Sequence, residues 1–296
     1  MPAVFVLIWS TGFIVAKFGL PYTAPLRFLA TRYLLSLVCF LVWIVLAKVS
    51  WPRSPVQWFH LAVTGLLIHA GYLGGVWCAI KAGMGSGLSA LIVGLQPVLT
   101  AIWVSQTNRL RTEGSSVSAR QWLGLTLGLA GLIMVVARKF GSGMEANPVT
   151  LGLAVFALLC ITTGTLYQKR FVEGADVRSA NAIQLGAALL VTLPLSLFEN
   201  ETTQWTAGYA GALAWSVLGL TLGGSSLLYL LIQRGAATAV TSLLYLVPPT
   251  TAAMAWLMFD EPITMITLMG TALTALGVNL VVRQNAVSTT SSAERR

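Results

Sequence analysis

His69 is the residue whose chemistry is hardest to explain by packing. It lies about thirteen residues into an apolar stretch running from 56 to 80, among apolar or small neighbours. An ionisable imidazole at the depth of a hydrocarbon layer marks a candidate site for proton handling or solute binding, the alternative being one hydrogen bond to a facing helix. Tyr72 follows three residues later and shares its helical face. Arg32 stands about eight residues into the stretch 25–47, which places it about 12 Å deep and within partial snorkelling reach of the surface. Trp9 and Phe13, four apart, with Tyr229 and Tyr245 recur at comparable depth on other stretches. Together they offer an amphipathic lining for the apolar part of a small molecule, while Gln96, Thr163, Gln184 and Ser225 offer hydrogen bonds to its polar end.

Other chemistries lack their residues. No nucleophile with a base, no His-Glu-x-x-His spacing and no Walker-type Gly-Lys-Ser or Gly-Lys-Thr segment is present, so the expectation is no catalytic set, no metal site, no cofactor and no entry of ATP energy through this chain. Cys39, Cys78 and Cys160 all fall within apolar segments, where a thiol acts as a small hydrophobe. Runs such as Gly71, Gly74 and Gly75, or Gly83, Gly85 and Gly87, read as places of close backbone approach between helices.

The elements that would hold these residues follow from composition. Apolar residues make up 56% of 296 positions and charged residues only 9%, against roughly 25% charged in a soluble domain. Only a helix satisfies its own backbone in lipid, and a span needs about 20 apolar residues. On that basis the chain is an all-α integral membrane protein with ten spans, near 3–19, 25–47, 56–80, 85–105, 119–137, 149–169, 179–198, 208–232, 236–258 and 263–283. The first segment lacks a basic leader and a small-residue cleavage pattern, so it reads as a retained span rather than a signal peptide.

The net charge of +9 reflects loop bias rather than an affinity for nucleic acid. With the N-terminus inside, twelve bases fall on the inner side: Lys48, Arg53, Arg109, Arg111, Arg120, Lys169, Arg170, Arg178, Arg234, Arg283, Arg295 and Arg296. Five fall outside: Lys17, Arg27, Lys81, Arg138 and Lys139. Both termini are therefore expected in the cytoplasm, in a cytoplasmic (inner) membrane. Trp51, Trp58, Trp122 and Trp205 flank span ends as an interfacial belt.

A shift of 152 positions superposes Gly12 on Gly164, Lys17 on Lys169, Ala30 on Ala182, Ile80 on Ile232, Gly83 on Gly235, Leu91 on Leu243 and Pro97 on Pro249. In the fifth span the shift becomes 146, pairing Gly124 with Gly270 and Gly131 with Gly277. This predicts one five-helix repeat over 1–140, a second over 148–283, and a cytoplasmic tail over 284–296. Five is odd, so the second repeat enters the membrane inverted. Pro97, Pro248 and Pro249 each remove a backbone donor within a span, predicting bends at matched depth in the fourth and ninth helices, either as gates beside a cavity or as static kinks.

Trp9-Ser10-Thr11-Gly12-Phe13, Arg32, Gly83, Gln96-Pro97-Val98, Gln184, Gly235, Pro248-Pro249 and Asp260-Glu261-Pro262 together resemble the drug/metabolite transporter superfamily, EamA type. The likeness covers nearly the whole chain, and the layout is similar to the amino-acid exporter branch called YddG-like. One departure is Arg109, which stands where the second half has Glu261. The resemblance implies a secondary transporter that exports amino acids, aromatic or otherwise neutral, or similar small metabolites by alternating access. Efflux of cationic lipophilic compounds is the alternative, weakened because no Asp or Glu occupies the middle of any span. Under this resemblance Arg32 either attracts a substrate carboxylate or tethers helix ends. The expected partners are a small-molecule substrate and the lipid bilayer.

Overall fold

Pro, Asn, Asp and Gly at the segment boundaries decide where each helix starts and stops. The computed structural model describes residues 2–109, 119–141, 146–172, 174–224, 227 and 246–293, and among these every regular element is helical. The helices are α1 Pro2–Gly19, α2 Pro25–Leu46, α3 Pro55–Lys81, α4 Ser86–Val93, α5 Gln96–Arg109 and α6 Ala119–Gly141. They continue with α7 Pro148–Phe171, α8 Val177–Ser196, α9 Ala207–Gly223, α10 Val247–Phe259 and α11 Met265–Ala293. Proline opens α2, α3 and α7, where its missing N–H is not needed. Asn147 forms a reciprocal capping box with Thr150 at the start of α7. At the end of α3, Met84 N–H donates to the Ala79 carbonyl and Gly83 N–H to that of Ile80. Gly83 takes φ +108°, the left-handed conformation such a helix stop requires.

One expectation changes here. The stretch 85–105 is two helices, because the chain turns at Gly94–Leu95 and restarts at Gln96. Pro97 sits in the first turn of α5, just after the opened turn that its missing donor predicts, and Pro248 and Pro249 sit in the first turn of α10 among the described residues. The two proline-bearing turns touch, since a Cβ added to Gly94 would lie 2.8 Å from Pro248 Cγ. The expected tail is helical as far as Ala293, because 284–293 contain no Gly or Pro to stop α11 once hydrophobicity declines.

Two helices carry a widened π segment, Leu66–Leu73 within α3 and Trp215–Gly223 within α9. The 152-residue shift carries 66–73 onto 218–225, so the segments overlap. Such segments expose backbone carbonyls and are frequent at functional sites.

The exterior is apolar. Leu46, Leu190 and Leu257 are 76–77% exposed, and α2, α3, α7 and α8 are each long and apolar enough to cross a membrane. In lipid the hydrophobic effect between helices is absent, so close backbone approach must supply the packing. The most extensive pairing joins α6 to α11. There a Cβ on Gly131 would strike the Gly270 carbonyl, and one on Gly277 the Gly124 carbonyl and the Gly128 nitrogen. Thr274 Oγ1 donates to the Gly128 and Gly270 carbonyls, at 3.3 and 2.8 Å. Gly277→Val is expected to force this pair apart at a cost of ~1–3 kcal/mol, lowering the Tm of the detergent-solubilised protein by several degrees in a thermal melt.

α2 and α8 pack antiparallel. Arg178, at the start of α8, lies over the Trp43 ring near the end of α2, 5.7 Å away, while Glu199 beyond α8 accepts the N–H groups of Leu26 and Arg27 at the start of α2, at 2.9 and 2.8 Å. Asp176 caps α8 by accepting Arg178 N–H, and hydrogen bonds from the Arg178 guanidinium hold its carboxyl below the ordinary range. A depressed carboxyl stabilises the fold above its unfolded pKa of about 3.9 and ceases to do so as pH falls through its lower folded value. Asp176→Asn is expected to lower Tm at neutral pH and to flatten its decline below about pH 4, as read from melts over a pH series.

Candidate functional site

A polar cluster lies where α2, α3, α8 and α9 meet inside the apolar bundle. Arg32, only 8% exposed, projects from α2 toward α9. Its Nε and Nη2 each lie 3.2 Å from Thr221 Oγ1, whose hydroxyl donates in turn to the Ser216 carbonyl at 2.9 Å within the π segment. From α8 the buried side chain of Gln184 comes within polar reach of His69 in the π segment of α3. His69 itself is partly exposed. Tyr33 donates to the His69 carbonyl at 2.7 Å and meets the imidazole edge-on, with ring centroids 5.9 Å apart. Tyr72, buried on α3, and Tyr33 both lie within electrostatic reach of Arg32.

The two pairs occupy positions related by the 152-residue shift. Adding 152 to Arg32 gives Gln184, and adding 152 to His69 gives Thr221. The first half thus supplies the cation and the imidazole and the second the amide and the hydroxyl, and each pair spans the two halves. Helix α3 is held against the cluster by missing side chains. A Cβ on Gly65 would collide with the backbone of Gln184, one on Gly71 would lie 2.7 Å from Cys160 Sγ, and one on Gly164 2.7 Å from Ile68.

Of the residues expected to line a site, the structure gathers His69, Tyr72, Gln184 and Arg32. Trp9 is partly buried and Phe13 buried in the adjoining apolar core. Gln96 stands apart, donating to Thr165 Oγ1 at 3.2 Å and tying α5 to α7. Thr163 is not brought to the cluster, because it lies on the exposed face of α7 with its hydroxyl on its own helix at the Leu159 carbonyl. Ser225, Tyr229, Tyr245 and Gly235 lie outside the described residues. Thr221 and Tyr33 were missed by type and depth alone. The signal that finds Thr221 is the repeat shift applied to unlike residues.

One end of the bundle is closed by charge. Lys17 pairs with Glu261 at 2.7 Å and lies over the Phe259 ring. The same carboxylate accepts the N–H of Ser86 at 2.9 Å and that of Gly87 at 3.4 Å, at the start of α4. Arg27 donates to the backbone carbonyls of Glu199 and Glu201, and Lys81 pairs with Glu201. Each bond joins a residue of the first half to one of the second. At the opposite end His60 Nδ1 lies 2.6 Å from Tyr167 Oη, and its ring stacks on Phe171 with centroids 4.8 Å apart. Asp176 there pairs with Arg178 two residues away, within the second half.

An all-helical bundle with an apolar exterior and a polar centre reached from both halves is the framework of a membrane transporter. The chain belongs to the EamA-like transporter family, whose model matches it twice, over residues 3–137 and 149–283. The chain is 26% identical over 285 residues to the uncharacterized transporter YvbV of Bacillus subtilis, covering 94% of this chain and 89% of that one. It is 26% identical over 295 residues to a probable amino-acid metabolite efflux pump of Salmonella typhimurium, covering 94% and 92%. It is 25% identical over 250 residues to the inner membrane transporter YedA of Escherichia coli K12, covering 84% and 74%. A solved crystal structure superposes with a TM-score of 0.66 over 94% of both chains at 16% identity, a likeness of fold.

Proposed function

We propose that this protein is a secondary carrier that exports amino acids or similar small metabolites, binding them at the cluster between two inverted five-helix repeats. The carrying observation is the meeting of shift-related positions across the two halves, Arg32 bonded to Thr221 and Gln184 within polar reach of His69. Two repeats that meet at a centre through shift-related positions can exchange conformations and open one site to either side in turn. The twofold family match and the paired π segments support the same reading. The bias of basic residues supports a topology with both termini in the cytoplasm and the Lys17–Glu261 end outside. The name of the Salmonella relative supports the substrate class.

Export of lipophilic cations is disfavoured, because the buried charge in the cluster is itself a cation. Cells overexpressing the protein and loaded with dipeptides are expected to release the resulting amino acids several-fold faster than cells with an empty vector. Equal release of every amino acid, with resistance to lipophilic cations instead, would transfer the function to drug efflux.

A further inference from the structure

We infer that Arg32 is the seat of a substrate carboxylate, so that the molecules this protein carries are anionic or zwitterionic carboxylic acids. The inference rests on reading the central cluster as the substrate site and adds the group that the site recognises. Its first support is the twin position. Gln184, at the position the 152-residue shift assigns to Arg32, is a neutral amide within polar reach of His69, so the equivalent seam between α8 and α3 is built without a charge. Its second support is the missing counter-ion. Among the described residues the ion pairs are Lys17–Glu261, Lys81–Glu201 and Arg178–Asp176, and none involves Arg32. All nine acidic residues of the chain fall outside the middle of the apolar spans. The only side-chain acceptor on Arg32 among the described residues is one neutral hydroxyl, Thr221 Oγ1, shared by Nε and Nη2.

A guanidinium offers five donors in a planar fork matched to a carboxylate, and a buried cation without an anion is strongly disfavoured in a membrane interior. A carboxylate arriving with the solute would satisfy both conditions. The neighbouring Tyr33, Tyr72 and partly exposed His69 leave room in the chemistry for an ammonium or an aromatic group on the same molecule.

The test compares three forms of two side chains on the purified full chain: leucine and phenylalanine, their amides, and the corresponding deamino acids isocaproate and 3-phenylpropionate. Binding is read by the shift in thermal melting. Carboxylates are expected to raise Tm and the amides not. Arg32→Gln, which copies the residue at the twin position, should weaken carboxylate binding by about tenfold or more, while Arg32→Lys retains part of it. Size-exclusion profiles and ligand-free melts establish that each variant is folded, and the wild-type comparison of acid with amide needs no variant. Equal response to acids and amides, an undiminished response in folded Arg32→Gln, or no response to any carboxylate would overturn the assignment. Arg32-dependent binding of isocaproate or 3-phenylpropionate without any amino-acid release from cells would uphold Arg32 and remove the amino-acid reading.

Discussion

Gly65→Val is expected to reduce transport at least a hundredfold while the protein still reaches the membrane. Gly65 lies one turn before His69, and the space a Cβ would need there is filled by the carbonyl, Cα and C atoms of Gln184, all closer than 3 Å. These are backbone atoms, so no side chain can swing aside. The larger residue must push α8 away at the residue whose amide meets His69. Overpacking of this kind costs ~1–3 kcal/mol, which the rest of the α2–α8 and α3–α7 packing can withstand. The polar contact is shorter-ranged and is lost first. Gly65→Ala should give an intermediate defect. Gly186→Val on the facing helix α8 is the control, because a Cβ there meets nothing within 4 Å. Initial uptake rates in proteoliposomes, normalised to protein incorporated, check all three. Wild-type rates in folded Gly65→Val would mean that the α3–α8 contact is no part of the transport path.

Glu261→Gln should open the clasped end. The carboxylate joins Lys17 of α1 to the N-terminus of α4, and its side chain is 9% exposed against 32% for Lys17. Removing a partner from a buried charged pair costs about 2–5 kcal/mol, and the exposure of Lys17 reduces this to ~1–2 kcal/mol. A difference of 1.4 kcal/mol is tenfold in an equilibrium. A cysteine at position 13, introduced as Phe13→Cys after replacement of the three native cysteines, reports the opening. Phe13 is 4% exposed, and its carbonyl accepts the Ser86 hydroxyl at 3.2 Å beside the clasp. A membrane-impermeant maleimide added outside should label it about tenfold faster with Glu261→Gln. Unchanged labelling would make the ion pair a static brace.

The helices were legible in the sequence because apolar length and boundary residues such as Pro25, Pro148 and Gly83 act locally. The site was legible in part. His69, Tyr72, Arg32 and Gln184 stood out as polar groups in apolar stretches, and the structure brings these four together. Their pairing was hidden, since a search for identical residues passes over Arg32 with Gln184 and His69 with Thr221, which match in position and differ in chemistry. Thr163 was misplaced for another reason. A helix with lipid on one side and protein on the other is apolar all round, so the sequence carries no polar face from which to read its rotation. Thr165, two residues on, is the one that meets Gln96. The π segments have no residue signature of their own and come from how α3 and α9 pack. Pro97 was legible as a place where the ladder opens, and it opens at Gly94 and Leu95 in the turn before it, because proline has no donor to return to that turn.

The most direct test of the central claim is counterflow of radiolabelled leucine and phenylalanine into proteoliposomes preloaded with the unlabelled amino acid, with and without a pH gradient. A carrier that alternates around the central cluster gives transient, saturable accumulation in the absence of any gradient, lost in Gly65→Val and retained in Gly186→Val. Absence of exchange for both amino acids in wild-type vesicles would contradict the account.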